Sequence, residues 1–194
     1  MKYNRISFLF LLLGCLVCHA QNKFEREYRI KKSEFPENAY AFISLELTGV
    51  KRLRFYKEVD SAKISYEAKF KKDNLFYSIE FDKEGLLEDV EIVITEVDIP
   101  NETFANITAF LDRKYPLYKI KKIQQQYPFT DTANIKSTLK NAFQNLILPS
   151  VNYELIVSAK TEEGRDDFEI LFNKEGNFVS LRKLLPPNYD HILY

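Results

Sequence analysis

Tryptophan is absent from this chain, and cysteine, histidine, methionine and glycine are scarce, at two, two, one and five among 194 residues. Both cysteines, Cys15 and Cys18, and one histidine, His19, fall within the first twenty positions. Beyond residue 20 the chain therefore has no thiol, which excludes disulfides, a cysteine nucleophile and thiolate metal sites. His191, in the C-terminal tail, is the sole histidine there. One imidazole predicts no zinc or copper centre, and with no Gly-x-Ser-x-Gly elbow the familiar hydrolase chemistry is excluded as well. Gly49, Gly85, Gly164 and Gly176 stand far apart, so no phosphate-cradling loop exists. Net charge is also lacking, since 28 Lys and Arg balance 28 Asp and Glu.

Only one long apolar run is present, and it reads as an address. Lys2 and Arg5 precede Ile6 to Leu13, and Cys18-His19-Ala20 places small residues where a signal peptidase reads before Gln21. The run is too short to span a bilayer, which needs roughly 20 apolar residues. The expectation is a secreted or periplasmic protein cleaved after Ala20; the alternative is a lipoprotein anchored at Cys15 within Leu12-Leu13-Gly14-Cys15. Cleavage leaves 26 Lys and Arg against 28 Asp and Glu, and no transmembrane segment.

What the chain does contain is a repetition. Tyr77-Ser78-Ile79-Glu80-Phe81-Asp82-Lys83-Glu84-Gly85 returns as Phe168-Glu169-Ile170-Leu171-Phe172-Asn173-Lys174-Glu175-Gly176. Upstream, Phe35-Pro36 matches Ile99-Pro100, and Tyr66-Glu67 matches Tyr153-Glu154. Each proline opens a helical pattern, Ala39-Phe42-Ile43-Leu47 in the first case and Pro100 to Tyr115 in the second. Strand patterns follow at Val50 to Tyr56, Ala62 to Phe70, Leu75 to Phe81 and Leu86 to Ile94, and again at Tyr118 to Gln125, Tyr153 to Ala159, Phe168 to Phe172 and Phe178 to Leu184. The fold class expected is α+β, two tandem repeats each with a helix on an antiparallel meander of about four strands. The boundaries are 1–20 signal peptide, 21–34 N-terminal segment, 35–98 first repeat, 99–185 second repeat and 186–194 tail. An extra helix is inserted at 127–152, opened by Thr132 or Asn134, with an apolar stripe of Ile135, Leu139, Phe143, Leu146 and Ile147. That stripe either docks on the sheet or faces a partner.

A helix begun at proline, a basic stretch ending in strand, and strands closing on an aromatic-Asp/Asn-Lys-Glu-Gly turn, repeated twice behind a signal peptide, resemble the secreted PepSY-like family. That family is similar to the β-lactamase inhibitor proteins. The resemblance covers roughly Phe35 to Leu185, departing at the insert and in lacking a tryptophan in the first strand, where Leu53, Phe55 and Tyr56 stand. It implies helices packed on antiparallel sheet, no catalytic residue, and protein binding or inhibition in the envelope.

The remaining patterns carry little chemistry. Acid pairs at Glu88-Asp89, Glu162-Glu163 and Asp166-Asp167 lack the alternating oxygen spacing of a calcium loop and read as charged hairpin tips. The basic clusters Lys51-Arg52-Leu53-Arg54 and Lys119-Ile120-Lys121-Lys122 read as strand-edge protection, and a neutral exported chain predicts no nucleic-acid partner. Strand alternation places Tyr66, Tyr77, Ile79 and Phe81 under the helices and turns Glu67, Lys69, Phe76, Ser78 and Glu80 to the opposite, exposed face. The function expected is a non-enzymatic binding module without cofactor or metal. It would engage an envelope protein or peptide through the sheet face and inserted helix, with Phe76, Glu67, Lys69, Glu80 and Phe143 as candidate contacts. The alternative is carriage of a small apolar ligand between sheet and helices.

Overall fold

The computed structural model describes residues 21–23, 25–60, 63–129 and 134–184. The export signal with Cys15, Thr132, and the tail with His191 lie outside them. Among the described residues the chain is α+β, with ten strands in one sheet and three α-helices. In order these are β1 (Gln21–Lys23), β2 (Glu25–Ile30), α1 (Glu37–Ile43), β3 (Lys51–Asp60), β4 (Lys63–Lys72), β5 (Leu75–Asp82) and β6 (Leu87–Ile94), followed by α2 (Asn101–Lys114), β7 (Tyr118–Pro128), α3 (Ile135–Phe143), β8 (Asn152–Thr161), β9 (Gly164–Asn173) and β10 (Phe178–Leu184).

Local chemistry sets these boundaries. Pro36 and Pro100 are the N-caps of α1 and α2, each following a 3-10 turn whose acid takes the backbone N–H three residues back. Lys31 N donates to Glu34 Oε2 and Thr95 N to Asp98 Oδ2, both at 2.8 Å. Asp73 and Asn74 have φ of 48° and 69°, the paired left-handed conformation of a two-residue hairpin between β4 and β5. Gly85 and Gly176, at φ 76° and 81°, close equivalent turns in which the glycine N–H donates to Asp82 O and Asn173 O. Each turn is tied to a helix. Asn38 Nδ2 donates to Glu84 O at 2.7 Å, and Asn106 Nδ2 donates to Glu175 O at 2.8 Å.

Strands β2 to β10 run antiparallel, and β1 lies parallel to β10. The sheet order is β1-β10-β9-β8-β7-β6-β5-β4-β3-β2, so the two strands nearest in sequence occupy opposite ends. Gln21 pairs with Arg182 and Glu25 with Asp60, yet only one residue separates Lys23 from Glu25. At about 3.3–3.6 Å per residue, a single position cannot span an open ten-stranded sheet. The sheet therefore closes into a barrel, with β1 on one edge and β2 on the other. The sequence reading left residues 21–30 without strands; their charged alternation hid two strands that each hold one edge.

All three helices pack on the outside of the barrel. Phe35, beside α1, meets Phe55, Tyr66 and Phe81 with ring centroids 4.7, 6.1 and 5.8 Å apart. On α2, Phe110 stacks on Phe178 at 4.9 Å and meets Phe172 edge-on. The inserted α3 docks on β6 and β7, burying Leu139 and Ala142, while its Phe143 lies 5.2 Å from the Tyr77 ring. Asn145, at φ 49°, ends this helix and accepts a hydrogen bond from the buried Gln125 at 3.1 Å. Leu146 and Ile147 consequently lie beyond the helix, 39% and 49% exposed, and do not continue the docked stripe. The core is thus a shell between barrel wall and helices, containing Ile79, Ile92, Ile107, Leu111, Tyr153, Leu155, Ile170 and Phe172.

The opposite face of the strands is the second correction. Alternation is as read from the sequence, but the face bearing Glu67, Lys69, Phe76, Ser78 and Glu80 is the barrel lumen. Glu67 is 3% and Ser78 6% exposed. Closure, which no single strand pattern encodes, turned a surface into an interior.

Candidate functional site

Strand pairing assembles the lumen from residues distant in sequence. One row runs Glu27, Glu58 and Ser65 across β2, β3 and β4; a second runs Tyr56, Glu67, Glu80 and Asp89; a third runs Ser78, Glu91 and Gln126. Glu154 on β8, Glu169 on β9 and Arg182 on β10 complete the circuit. Glu58, Glu67, Glu91 and Glu169 are each at most 7% exposed. Among the described residues, carboxylates outnumber cations on this face: Glu27, Glu58, Glu67, Glu80, Asp89, Glu91, Glu154 and Glu169 stand with Arg54, Lys69, Lys122 and Arg182.

The two halves of this acidic interior are neutralised differently. In the first, Lys69 Nζ reaches Glu67 Oε2 at 2.6 Å and Glu27 Oε2 at 3.1 Å, and sits 4.9 Å from the Tyr56 ring. Burial pushes the Glu67 carboxyl up, but Lys69 and hydrogen bonds from Glu58, Lys69 and Ser78 outweigh it and hold Glu67 below the ordinary range. Glu58, buried beside Glu67, is pushed well above its ordinary value by burial and then by the charges of Glu67 and Glu80. Carboxylate oxygens of Glu27, Glu58 and Glu67 all lie within 4.8 Å of one another, with Lys69 as their built-in counter-charge.

The second half opens on a cavity of about 250 Å³ lined by Lys63, Glu80, Glu88, Asp89, Glu91, Gln126, Glu154 and Arg182. Its lining spans strands from β4 to β10, as only a closed sheet allows. A register shift lies between Glu80 and Phe81 of β5, which pair with Asp89 and Leu87 of β6, so Glu88 is the extra residue of a β-bulge. The bulge brings consecutive acids, Glu88 and Asp89, to one cavity. Glu80, Asp89 and Glu91 carry oxygens within 4.8 Å of each other. Gln126 Nε2 donates to Asp89 Oδ2 at 3.1 Å, Asn152 Nδ2 donates to Gln126 Oε1 at 3.1 Å, and Gln124 Nε2 donates to Glu91 Oε2. Lys63 Nζ, on a side chain 59% exposed, holds Glu88 Oε1 at 2.7 Å at the cavity margin. Burial, then Glu88 and Glu67, push Asp89 up to about 7. Burial, then Glu154, Asp89 and Glu80, push Glu91 well above its ordinary value. Such a cluster resists full ionisation.

Of the residues the sequence singled out, Glu67, Lys69 and Glu80 meet in the lumen. Phe76 is half-buried and carries Lys71 Nζ 5.2 Å from its ring; Phe143 belongs to the outer core. Glu58, Asp89, Glu91, Glu154, Glu169 and Arg182 were missed. The signal available was that each sits on the same strand parity as Glu67 and Glu80.

No known protein-family profile matches the chain, and no curated protein does. Solved structures share its fold. A DUF2874 family protein from Bacteroides uniformis superposes with TM-score 0.51 over 76% of this chain and 88% of that one, at 12% identity. A Bacteroides eggerthii protein named as periplasmic gives 0.51 over 80% and 93%, at 10% identity. A BLIP-like protein from Bacteroides fragilis aligns at 0.47 over 81% and 92%, with 11% identity, and nothing further rests on it. At these identities the likeness is one of fold alone.

Proposed function

We propose that this chain is an exported, non-enzymatic binding protein of the cell envelope that takes a small cationic ligand into the acidic lumen of its barrel. The observation that carries this reading is the charge imbalance around the 250 Å³ cavity, whose wall presents Glu80, Glu88, Asp89, Glu91 and Glu154 against Lys63 and Arg182. An apolar ligand finds no such welcome, so the carrier reading survives with its chemistry inverted. The wall consists of five acids, one amide, one lysine and one arginine, and a cluster of buried carboxylates around one cleft is also the arrangement that acid–base catalysis would use. The export reading is supported by the basic residues and apolar run ahead of Gln21 and by the periplasmic naming of a protein of the same fold. The resemblance to the PepSY-like family and the duplication of 35–98 in 99–185 are part of the same proposal, supported by the paired Asn38 and Asn106 locks on matching turns.

Thermal melts test the ligand class. Spermidine or a divalent metal chloride at millimolar concentration raises Tm, whereas citrate and apolar probes leave it unchanged; stabilisation by an apolar probe alone overturns the reading. A second reading, engagement of an envelope protein, is favoured by one observation, the exposed Leu146-Ile147 pair at the end of the insert. Serine at both positions abolishes retention of such a partner and leaves the melt intact if that surface binds it.

A further inference from the structure

We propose that α3 is a lid on the barrel wall, latched by Asn145 onto Gln125 and Tyr127, that opens as a unit while the barrel stays folded and whose position is felt in the lumen through β7. The inference concerns the lid and does not depend on what the lumen binds. Three observations carry it. First, the residue that stops α3 has a side chain engaged in something a stop does not require. The Asn145 N–H donates to Ala142 O at 2.8 Å and the Leu146 N–H to Asn141 O at 3.1 Å, the paired bonds of a helix end closed by a left-handed residue. Glycine is the usual residue at such a position, because it adopts a φ of 49° without penalty. Asparagine stands here instead, and its Oδ1 accepts from Gln125 Nε2 at 3.1 Å and from the Tyr127 hydroxyl at 3.4 Å.

Second, the wall beneath α3 is polar where the wall beneath the other helices is aromatic. Phe35 beside α1 lies over Phe55, Tyr66 and Phe81, and Phe110 of α2 over Phe172 and Phe178. Under α3 stand Gln125 and Tyr127, both buried, with the Gln125 amide bonded to the Tyr127 hydroxyl as well as to Asn145. Opposite Gln125 on β8 is Tyr153, fully buried, whose hydroxyl has no hydrogen-bond partner among the described residues. A polar group covered without a partner is destabilising and regains water on exposure, which offsets part of the cost of lifting α3. The apolar anchor of this nine-residue helix is small, Leu139, Ala142 and the half-buried Phe143, and Gln144 to Ile147 beyond it are exposed. The bonds of Asn145 are therefore a large share of what keeps the lid closed.

Third, β7 joins the latch to the lumen. Residues 124–127 alternate in direction, so that Gln125 and Tyr127 meet the lid while Gln124 and Gln126 face inward, where their amides donate to Glu91 Oε2 and Asp89 Oδ2. The chain returning from α3 enters β8 at Asn152, whose Nδ2 donates to Gln126 Oε1 at 3.1 Å. The lid is thus tied to the cavity wall twice, through the strand beneath its latch and through the residue that follows its connection. Displacing α3 frees one face of a strand whose other face orients two lumen carboxylates.

The test is amide hydrogen exchange of the intact protein, read by mass spectrometry, in a double-mutant cycle of Asn145→Gly and Gln125→Leu. In the unmodified chain α3 exchanges faster than α2 and the barrel strands, through an opening below global unfolding. Asn145→Gly keeps the left-handed turn and removes the latch. It speeds α3 exchange about 5-fold more in the unmodified chain than in the Gln125→Leu background, the worth of about one hydrogen bond. Residues 124–127 and the start of β8 accelerate with α3, whereas β3 and β4 do not. Circular dichroism and urea melts establish that every variant is folded. Equal effects of Asn145→Gly in the two backgrounds reduce Asn145 to a helix stop and overturn the latch. Exchange of α3 only at the rate of global unfolding overturns the lid, and acceleration of α3 without β7 and β8 overturns its link to the lumen.

Discussion

Alanine at Gly176 measures how closely α2 is clamped to the β9–β10 turn, and alanine at Gly85 supplies the matched control. Both glycines have positive φ, 81° and 76°, which costs a side-chain-bearing residue about 1 kcal/mol. Their surroundings differ. A Cβ on Gly176 would collide with the backbone carbonyl oxygen of Thr103 and stand 3.0 Å from Asn106 Cβ. A Cβ on Gly85 would overlap the Asn38 side-chain amide, 2.7 Å from its Cγ. Asn38 is exposed and can rotate away, losing its bonds to Glu84 O and Gly85 O. That loss is worth about 1 kcal/mol, so Gly85→Ala should cost about 2 kcal/mol. The Thr103 carbonyl is fixed in the middle of a helix turn. Relief there requires the β9–β10 turn to move off α2, with loss of Asn106 to Glu175 O at 2.8 Å and Thr103 Oγ1 to Lys174 O at 2.9 Å. Two hydrogen bonds and the backbone strain together give about 3 kcal/mol or more. Urea equilibrium melts read both. A second layer sharpens the test: Asn38→Ala should absorb about half of the Gly85→Ala penalty, leaving only the backbone strain of about 1 kcal/mol, whereas Asn106→Ala should not rescue Gly176→Ala, because the collision is with backbone. Equal penalties at the two glycines, or rescue by Asn106→Ala, would refute the reasoning.

Other outcomes follow from the same packing. Glu58 holds its proton more tightly folded than unfolded, so stability falls as pH rises from its ordinary 4.5 toward the raised value. Glu58→Gln should flatten that fall and raise the urea midpoint at pH 8; a midpoint unchanged there rejects the shift. Lys69→Met strands Glu67 without its counter-charge and should cost about 3 kcal/mol or more by urea melt at pH 7. Tyr153 is fully buried and its hydroxyl has no hydrogen-bond partner among the described residues, so Tyr153→Phe should leave Tm unchanged or raised; a loss above about 1.5 kcal/mol contradicts this. Leu139→Ala should cost about 2–4 kcal/mol if α3 is docked as a structural element.

Much of the wall was legible in the sequence because its signals are local. Period-two alternation from Ile64 to Phe70 and the turn residues Asp73-Asn74 and Gly85 act within a few positions, and the strands and turns stand where those residues put them. The helix of the insert was recognisable from Leu139 and Phe143, but its end was misread, since Asn145 adopts a left-handed conformation to meet Gln125, a contact made across 20 positions. The lumen was illegible for a larger reason. Glu67 and Glu80 were placed on the correct side of their strands, yet whether that side faces water depends on strand tilt and stagger around the whole sheet and on where segment 21–30 pairs. No window of residues carries that information. The Glu80, Asp89 and Glu91 cluster depends further on the bulge at Glu88, which contiguous ligand spacing cannot reveal.

The distribution of polarity bears on what the barrel is for. Most small barrels fill their interior with apolar side chains and thereby stabilise themselves. In this chain that task has moved outward, to the shell where Phe35, Ile107, Leu111 and Leu139 pack on the wall. The lumen contributes little to stability: replacing buried ionic groups by well-packed apolar residues is often neutral or stabilising, and acids held above their ordinary range oppose folding at neutral pH. A lumen holding eight carboxylates is therefore not explained by the stability of the fold. Local rules are broken in natural proteins chiefly where function requires it. On that argument the helices make the protein stable enough to tolerate an interior built for a cation, and variants that neutralise Asp89 or Glu91 should gain stability in metal-free buffer while losing the ligand.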